Sequence, residues 1–366
     1  MRITEVKPFF LRPTVLVRVD TDAGMVGWGE CSPMNGRVVA VHVEHSLAPF
    51  AVGRDPFDIE AIVEDMFVRT YKIAGQTQAM AISGIEIALW DIVGKAAGLP
   101  VYKMLGAYRD KVPAYASTMC GDDLEGGLDT PEAYAKFALW CKDQGYPAFK
   151  LHTWQPPVQG APNPKWDVAA CAAVREAVGD EMLLMIDPFH YYSRAQSLYL
   201  GRELEKLGFH WIEEPMAEHS TSSYVWLSEQ LDIPVVGPET AEGKMHTRAE
   251  WIVRGASDIR RGGVGDVGGI TPLMKVVHLC EAFNVAMEVH GGGAGNLHVL
   301  CAMGIPGEMY ERGLLHPFID YDQPAPWLNQ IVDPLDDEGY VHVSDQPGLG
   351  YEIDFDYIAA NTVSAY

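Results

Sequence analysis

Apolar and polar residues alternate through residues 1–31, in the runs ITEVKPFFLR, TVLVRVDTDAG and VGWGEC. Period-two alternation predicts half-buried strands, and Asp22, Ala23 and Gly24 form the turn between the second and third. From about Val38 to Leu105 the pattern turns helical. Ala79–Lys95 (AMAISGIEIALWDIVGK) carries apolar residues at three- and four-residue spacing, and a Gly-Leu-Pro stop follows. Strands first and helices after predict an α+β unit over residues 1–111.

From Val112 the pattern becomes regular strand–helix alternation. The strands are VPAYAST, PAFKLHT, MLLMID, FHWIEE, PVVGPE, SDIRR and VAMEVH. Amphipathic segments such as Thr130–Gln144, Val168–Val178 and Ser193–Leu207 lie between them, and Trp154–Lys165, rich in Pro and Gly, reads as a loop over one end. Seven such strands predict a parallel barrel over residues 112–323. Residues 324–366 lose the pattern and are expected to return to the first unit, making it discontinuous in sequence.

Composition narrows the function classes. The 366 residues carry a formal charge of −23, which argues against nucleic acid and anionic lipid as partners. No apolar run is long enough for a membrane span, and the N-terminus lacks a signal core. The six cysteines show no CxxC spacing and read as reduced core residues of a cytoplasmic protein.

Three apolar runs end on a carboxylate: Asp187, Glu213 and Glu239, at 26-residue intervals. That is about the period of one strand–helix unit, roughly thirty residues. Strand C-termini meet at one rim of a parallel barrel, so the three oxygen donors converge as a site for Mg²⁺. Three unrelated strand-end acids, each with its own salt bridge, are the alternative. Lys150 and His152 sit two apart in PAFKLHT and share a strand face. Lys150 reads as a clamp for a substrate carboxylate and His152 as a base; a lysine paired with a barrel acid and a merely hydrogen-bonded histidine explain them equally well. His290 closes VAMEVH before a Gly-rich loop that can approach a ligand over bare backbone. Phosphate binding by that loop lacks the P-loop lysine and serine. His190, three after Asp187, is a further polar contact or acid, or a surface loop histidine. Arg261 and Glu288, on facing positions of neighbouring strands, are expected to form a buried ion pair under His290. Glu311, in MYERG, is either a buried protonated acid that donates to a developing enolate or an exposed partner of Arg312.

SGIEIALWDIVGKAAGLPVYKMLG, then Asp187, WIEEP, PET and the tail PGLGYEID, resemble the mandelate racemase subgroup of the enolase superfamily along nearly the whole chain. The resemblance implies an α/β fold, a modified TIM barrel (β/α)7β under an α+β capping domain, with Mg²⁺ on Asp187, Glu213 and Glu239. It places Lys150 and His152 on the KxK motif, with His152 where a base lysine stands. It makes His290 the seventh-strand base and Glu311 the acid ending the eighth. It also puts Gly263 where the aspartate that orients the seventh-strand histidine belongs, so that His–Asp dyad is expected to be missing, with Asp266 in the loop beyond. The N-terminal region is most similar to sugar-acid dehydratases, galactonate and mannonate types in particular, with Arg37 and Tyr71 as capping-domain contacts to substrate. The implied activity is dehydration of a sugar acid; racemisation, epimerisation or lactone cycloisomerisation by the same chemistry, and a non-catalytic sugar-acid binding protein, are the alternatives. Family habit implies a homo-oligomer.

Overall fold

The alternating N-terminal runs fold as β1 (Ile3–Phe10), β2 (Val15–Thr21) and β3 (Val26–Cys31), an antiparallel sheet in the order β1-β2-β3. The coordinates are a computed structural model, described over residues 1–122, 124–304, 307, 309–314 and 323–364. Gly24, at φ 75°, makes the predicted turn by donating to Thr21 O. One face of the sheet lies on the 22-residue helix Gln76–Ala97, which ends at a left-handed Gly98. The helix and β3 meet backbone to backbone. A Cβ on Gly29 would stand 2.1 Å from Gly84 O, so only a bare α-carbon fits there.

The barrel strands are β4 (Lys111–Thr118), β5 (Ala148–His152), β6 (Leu183–Asp187), β7 (Trp211–Glu213), β8 (Val235–Val236), β9 (Ile259–Gly262), β10 (Ala286–Val289) and β11 (Tyr310–Leu314). They form one parallel sheet in the order β10-β9-β8-β7-β6-β5-β4-β11. This is the nearly closed barrel, with a separate antiparallel cap, that the alternation predicts. Each strand is buried on both faces. Phe149, Leu151, Leu184 and Ile186 pack outward against helices, while Tyr115, Ala148, Met185, Trp211, Val236, Ile259 and Met309 fill the interior. The helix after β5 spans Pro164–Val178, so it starts inside the stretch expected to be loop, with Pro164 in its first turn.

The C-terminal segment touches both layers. β12 (Tyr340–His342) pairs antiparallel with β4, whereas Ile358 packs with Leu11, Leu16 and Trp28 of the cap. Residues 315–322, the end of the expected barrel span, lie outside the described residues. No described helix is long and apolar enough to cross a membrane. All six cysteines are free.

Candidate active site

Alternation along β5 puts Ala148, Lys150 and His152 on the interior face at rising levels. The β5–β6 register sets His152 beside Asp187, and His152 Nε2 lies 3.0 Å from Asp187 Oδ2. The backbone of His152 is clamped from both sides: its N–H donates to Thr118 Oγ1 at 2.9 Å, and Tyr134 OH donates to its carbonyl. The ring of Phe189 stands edge-on, 5.1 Å away. Burial pushes the Asp187 carboxyl up, but the His152 imidazole, Lys150 and the Phe189 N–H outweigh it and hold the group at about 2. That N–H bond to Asp187 Oδ1, at 2.8 Å, forms an Asx turn with positive φ at both Phe189 and His190. The turn swings His190 toward β7, where its Nε2 lies 3.0 Å from Glu214 Oε1.

Register pairing of Ile186 with Ile212 places Asp187 and Glu213 one step further along adjacent strands. Glu239 is reached differently. β8 ends at Val236, so Glu239 sits in the loop three residues on rather than at the end of a strand. Its backbone is fixed from both ends: Glu218 accepts the N–H groups of Glu239 and Thr240 at 2.6 and 2.8 Å, and Arg248 donates to the Glu239 carbonyl at 2.7 Å. All three acids are buried. The Glu213 carboxyl is raised to about 7: burial lifts it most, Arg261 and Lys150 pull it down, and Asp187 and Glu239 raise it. The three carboxylates offer only oxygen donors, the chemistry that suits a hard divalent cation, although Glu213 is paired with Lys150 and Arg261 and, among the described residues, only Glu239 falls in a cluster of ligand atoms within 4.8 Å.

Two buried cations lie beneath the acids. Lys150 Nζ is 2.8 Å from Glu213 Oε2 and 2.7 Å from Glu311 Oε1. Arg261 does not pair with Glu288, although the two are register partners on β9 and β10. An arginine carries its charge several bonds from its own backbone level. The guanidinium therefore reaches Glu213, Glu239 (3.3 Å), Glu311 (2.7 Å) and Tyr115 OH (3.2 Å), where several negative charges meet instead of one. Glu311 also departs from the expected protonated acid. Burial alone would protonate it, but Arg261 and Lys150 hold it well below the usual carboxylate range, so it is an ionised acceptor and not a protonated donor. Nor is it the exposed partner of Arg312, whose guanidinium bonds Tyr146 OH at 2.7 Å.

The missing dyad is also overturned. His290 follows β10, and its Nδ1 is 2.7 Å from Asp266 Oδ2. Asp266 comes from the one-turn helix Val264–Val267, and the same oxygen accepts the Gly263 N–H at 2.7 Å. A Cβ on Gly263 would stand 2.3 Å from the His290 carbonyl. The two backbones approach too closely for any side chain at 263, and the acid is delivered from the next turn instead. On its other side His290 Nε2 lies 3.3 Å from Glu239 Oε1. Burial disfavours the imidazolium, yet Asp266 and Glu239 raise it to about 10. Glu239, Asp266 and His290 thus bring one ligand atom each within 4.8 Å of one another, a closeness that a shared proton on the imidazole explains.

Arg37 lies in the short helix Gly36–His42 and Tyr71 in the turn Tyr71–Ile73; both are exposed. Their segments border the barrel: a Cβ on Gly265 would meet Ser32, and one on Gly75 would meet Glu242. Sequence reasoning missed Glu218 and Arg248, whose partners are backbone groups of a loop and leave no pattern in the chain.

The family models match in two blocks. "Mandelate racemase / muconate lactonizing enzyme, N-terminal domain" covers residues 8–106, and "Enolase C-terminal domain-like" covers residues 133–357. The chain belongs to the mandelate racemase subgroup of the enolase superfamily. Among its relatives, the crystal structure of D-glucarate dehydratase from Agrobacterium tumefaciens complexed with magnesium is 48% identical. It covers 99% of both chains with a TM-score of 0.92. Arabinonate dehydratase of Saccharolobus solfataricus is 32% identical over 93% of this chain and 88% of its own length. D-galactarolactone cycloisomerase of Agrobacterium fabrum is 30% identical over 95% of this chain and 91% of its own. In this superfamily member the histidines on β5 and after β10 therefore face one mouth of an enolase-type barrel, with the acids of β6, β7 and the β8 loop between them.

Proposed function

We propose that the protein is a Mg²⁺-dependent dehydratase that converts a sugar acid to its 2-keto-3-deoxy product. One observation carries the reading: in strand order His152 and His290 flank the buried acids Asp187, Glu213 and Glu239, and each imidazole lies against an acid, Asp187 and Asp266. The sugar-acid dehydratases among its relatives support the substrate class.

Asp187, Glu213 and Glu239 would hold the ion. When bound, Mg²⁺ supplies positive charge beside the substrate carboxylate, which makes the α-hydrogen easier to remove. Lys150, buried at the base of the mouth, adds a second positive charge on that side. His152 takes the α-proton. The electron pair of that C–H bond forms the enediolate, then the C=C bond as the β-hydroxyl leaves. His290, which holds a proton between Asp266 and Glu239, gives it to the departing hydroxyl, so water leaves and the enol tautomerises to the keto acid. His190, set on Glu214, stands as a further polar contact to the polyol chain, with Arg37 and Tyr71 contacting it from the cap. The cycloisomerase relative favours a second reading, in which the same proton removal leads to isomerisation without loss of hydroxyl.

Incubating the enzyme with Mg²⁺ and a library of aldonic and aldaric acids in D₂O separates these readings. Keto-acid formation supports dehydration; α-deuterium exchange without keto acid supports isomerisation. His152→Ala is expected to lose exchange, and His290→Ala to keep exchange while losing elimination. Wild-type turnover in both variants would overturn the site.

A further inference from the structure

Asn296 lies in the helix Ala294–Ala302 just beyond the Gly-rich loop, and it is buried. Its Nδ2 is 2.7, 3.0 and 3.1 Å from the carbonyl oxygens of His290, Gly291 and Gly292. Its Oδ1 accepts the N–H of Val264 at 2.9 Å. Val264 opens the turn that carries Asp266, and His290 opens the loop that Nδ2 gathers in. One amide therefore ties together the two segments that bear the two halves of the dyad.

The arrangement is demanding. Three successive carbonyls turn inward onto one donor group, a convergence of like dipole ends that is unfavourable without the N–H groups between them. The loop's other anchors are the His290 N–H on Gly262 O at 3.2 Å and, on its far side, the Gly291 N–H on Glu311 Oε2 at 2.7 Å and the Gly293 N–H on Tyr310 OH at 2.6 Å. Those contacts fix the loop to β11 and to the end of β9, but none of them reaches the Val264–Val267 turn that carries Asp266. In this chain the carboxylate arrives from a separate turn rather than from the strand end, so its alignment with His290 depends on how that turn is held.

We infer that Asn296 is a positioning residue that aligns His290 with Asp266 by holding both of their loops at once. The inference rests on the reading of His290 as a catalytic group. Asn296→Asp keeps an acceptor for Val264 but offers only oxygens to the three carbonyls. It is expected to lower kcat on an acid sugar about 10- to 100-fold, the usual loss for an outer partner of an active-site ligand. KM and the Mg²⁺ requirement are expected to stay within about twofold, since ground-state binding is not what the amide supports. In a His290→Asn background the same substitution is expected to lower the residual dehydration rate no further, because coupled residues are not additive. An equal loss in both backgrounds would overturn the inference. A second readout needs no substrate: the Nδ1 proton of His290, identified by NMR through its loss in Asp266→Asn, is expected to shift in Asn296→Asp, and an unchanged resonance counts against the role. Should the wild-type enzyme turn over no acid sugar, the functional reading fails while this resonance still decides the positioning. Asn296→Ser, which retains a shorter hydroxyl, serves both measurements if the aspartate variant does not fold, with the same direction expected.

Discussion

Asp266 reaches His290 from the next turn of chain, with Oδ2 2.7 Å from Nδ1, because Gly263 has no side chain to hold the two backbones apart. The carboxylate fixes which ring nitrogen carries the proton and raises the proton affinity of the ring. Asp266→Asn should therefore lower turnover by about 10²-fold or more, in the range for a compromised general acid or base. In an NMR titration of the protein without added metal, the His290 midpoint should fall from about 10 toward its ordinary 6.5. A raised histidine contributes stability below its unfolded pKa and loses it as pH rises through the folded one. The variant's stability deficit should accordingly be full below pH 6.5 and fade toward pH 10. Adding Gly263→Asp should not rescue it, since a Cβ there would meet the His290 carbonyl.

Among the described residues Arg261 is the one cation that touches Glu213, Glu239 and Glu311 together, and it is fully buried. Replacing it with methionine leaves those acids facing one another without their shared partner. Breaking a buried charge cluster in this way costs about 3–5 kcal/mol. Added Mg²⁺ binds the folded variant and offsets part of that loss, so the Mg²⁺-dependent rise in Tm should be larger in Arg261→Met than in wild type. Equal rises would argue against a cation site among these acids.

The parts of this architecture legible in the chain are those that depend on period. Lys150 and His152 share an interior face because strand side chains alternate, and Asp187 and Glu213 close apolar runs where β6 and β7 end. The illegible parts depend on backbone contacts between segments far apart in sequence. Glu239 lies beyond its strand, placed by Glu218 and Arg248. Asp266 is hidden because the dyad is made by the approach of Gly263 to the His290 carbonyl, which no spacing rule encodes. Arg261 and Glu288 do face one another in register, yet the reach of the guanidinium carries its charge to a different layer. The protonation of Glu311 is misjudged for the same reason: burial is visible in the apolar surroundings of MYERG, but the two cations that outweigh it come from other strands.

Asp167 gives a pH-dependent test away from the acid row. It sits in the first turn of the helix Pro164–Val178, bonded to Tyr192 OH and close to Thr153, so it lies between the loops that follow His152 and His190. Burial is the main cause that lifts its carboxyl to about 7, against Tyr192 and Thr153, which lower it. A carboxyl raised in the fold gives stability at low pH that is lost as pH climbs from its unfolded value near 3.8 through 7. Asp167→Asn cannot ionise and escapes that loss, so thermal melts should show the variant gaining on wild type between pH 4 and pH 7. The gain is on the order of a few kcal/mol at its upper end. A constant difference across that range would mean that the carboxyl ionises normally.

Glu218 holds the segment that presents Glu239. One carboxylate oxygen accepts the Glu239 N–H at 2.6 Å, and the other accepts the Thr240 N–H at 2.8 Å and the Thr240 hydroxyl at 2.9 Å. A glutamine at 218 keeps the length but turns one acceptor into a donor that faces N–H and O–H groups. The loop must then shift, and Glu239 with it, while Asp187 and Glu213 stay on their strands. Loss of such an outer support weakens metal binding about 10- to 100-fold. Calorimetry with Mg²⁺, or Mn²⁺ as a spectroscopic substitute, should show that drop in Glu218→Gln, with a fold otherwise intact by circular dichroism. Saturating metal should restore most of the turnover, because the histidines remain in place. Unchanged affinity would mean that Glu239 does not depend on this support.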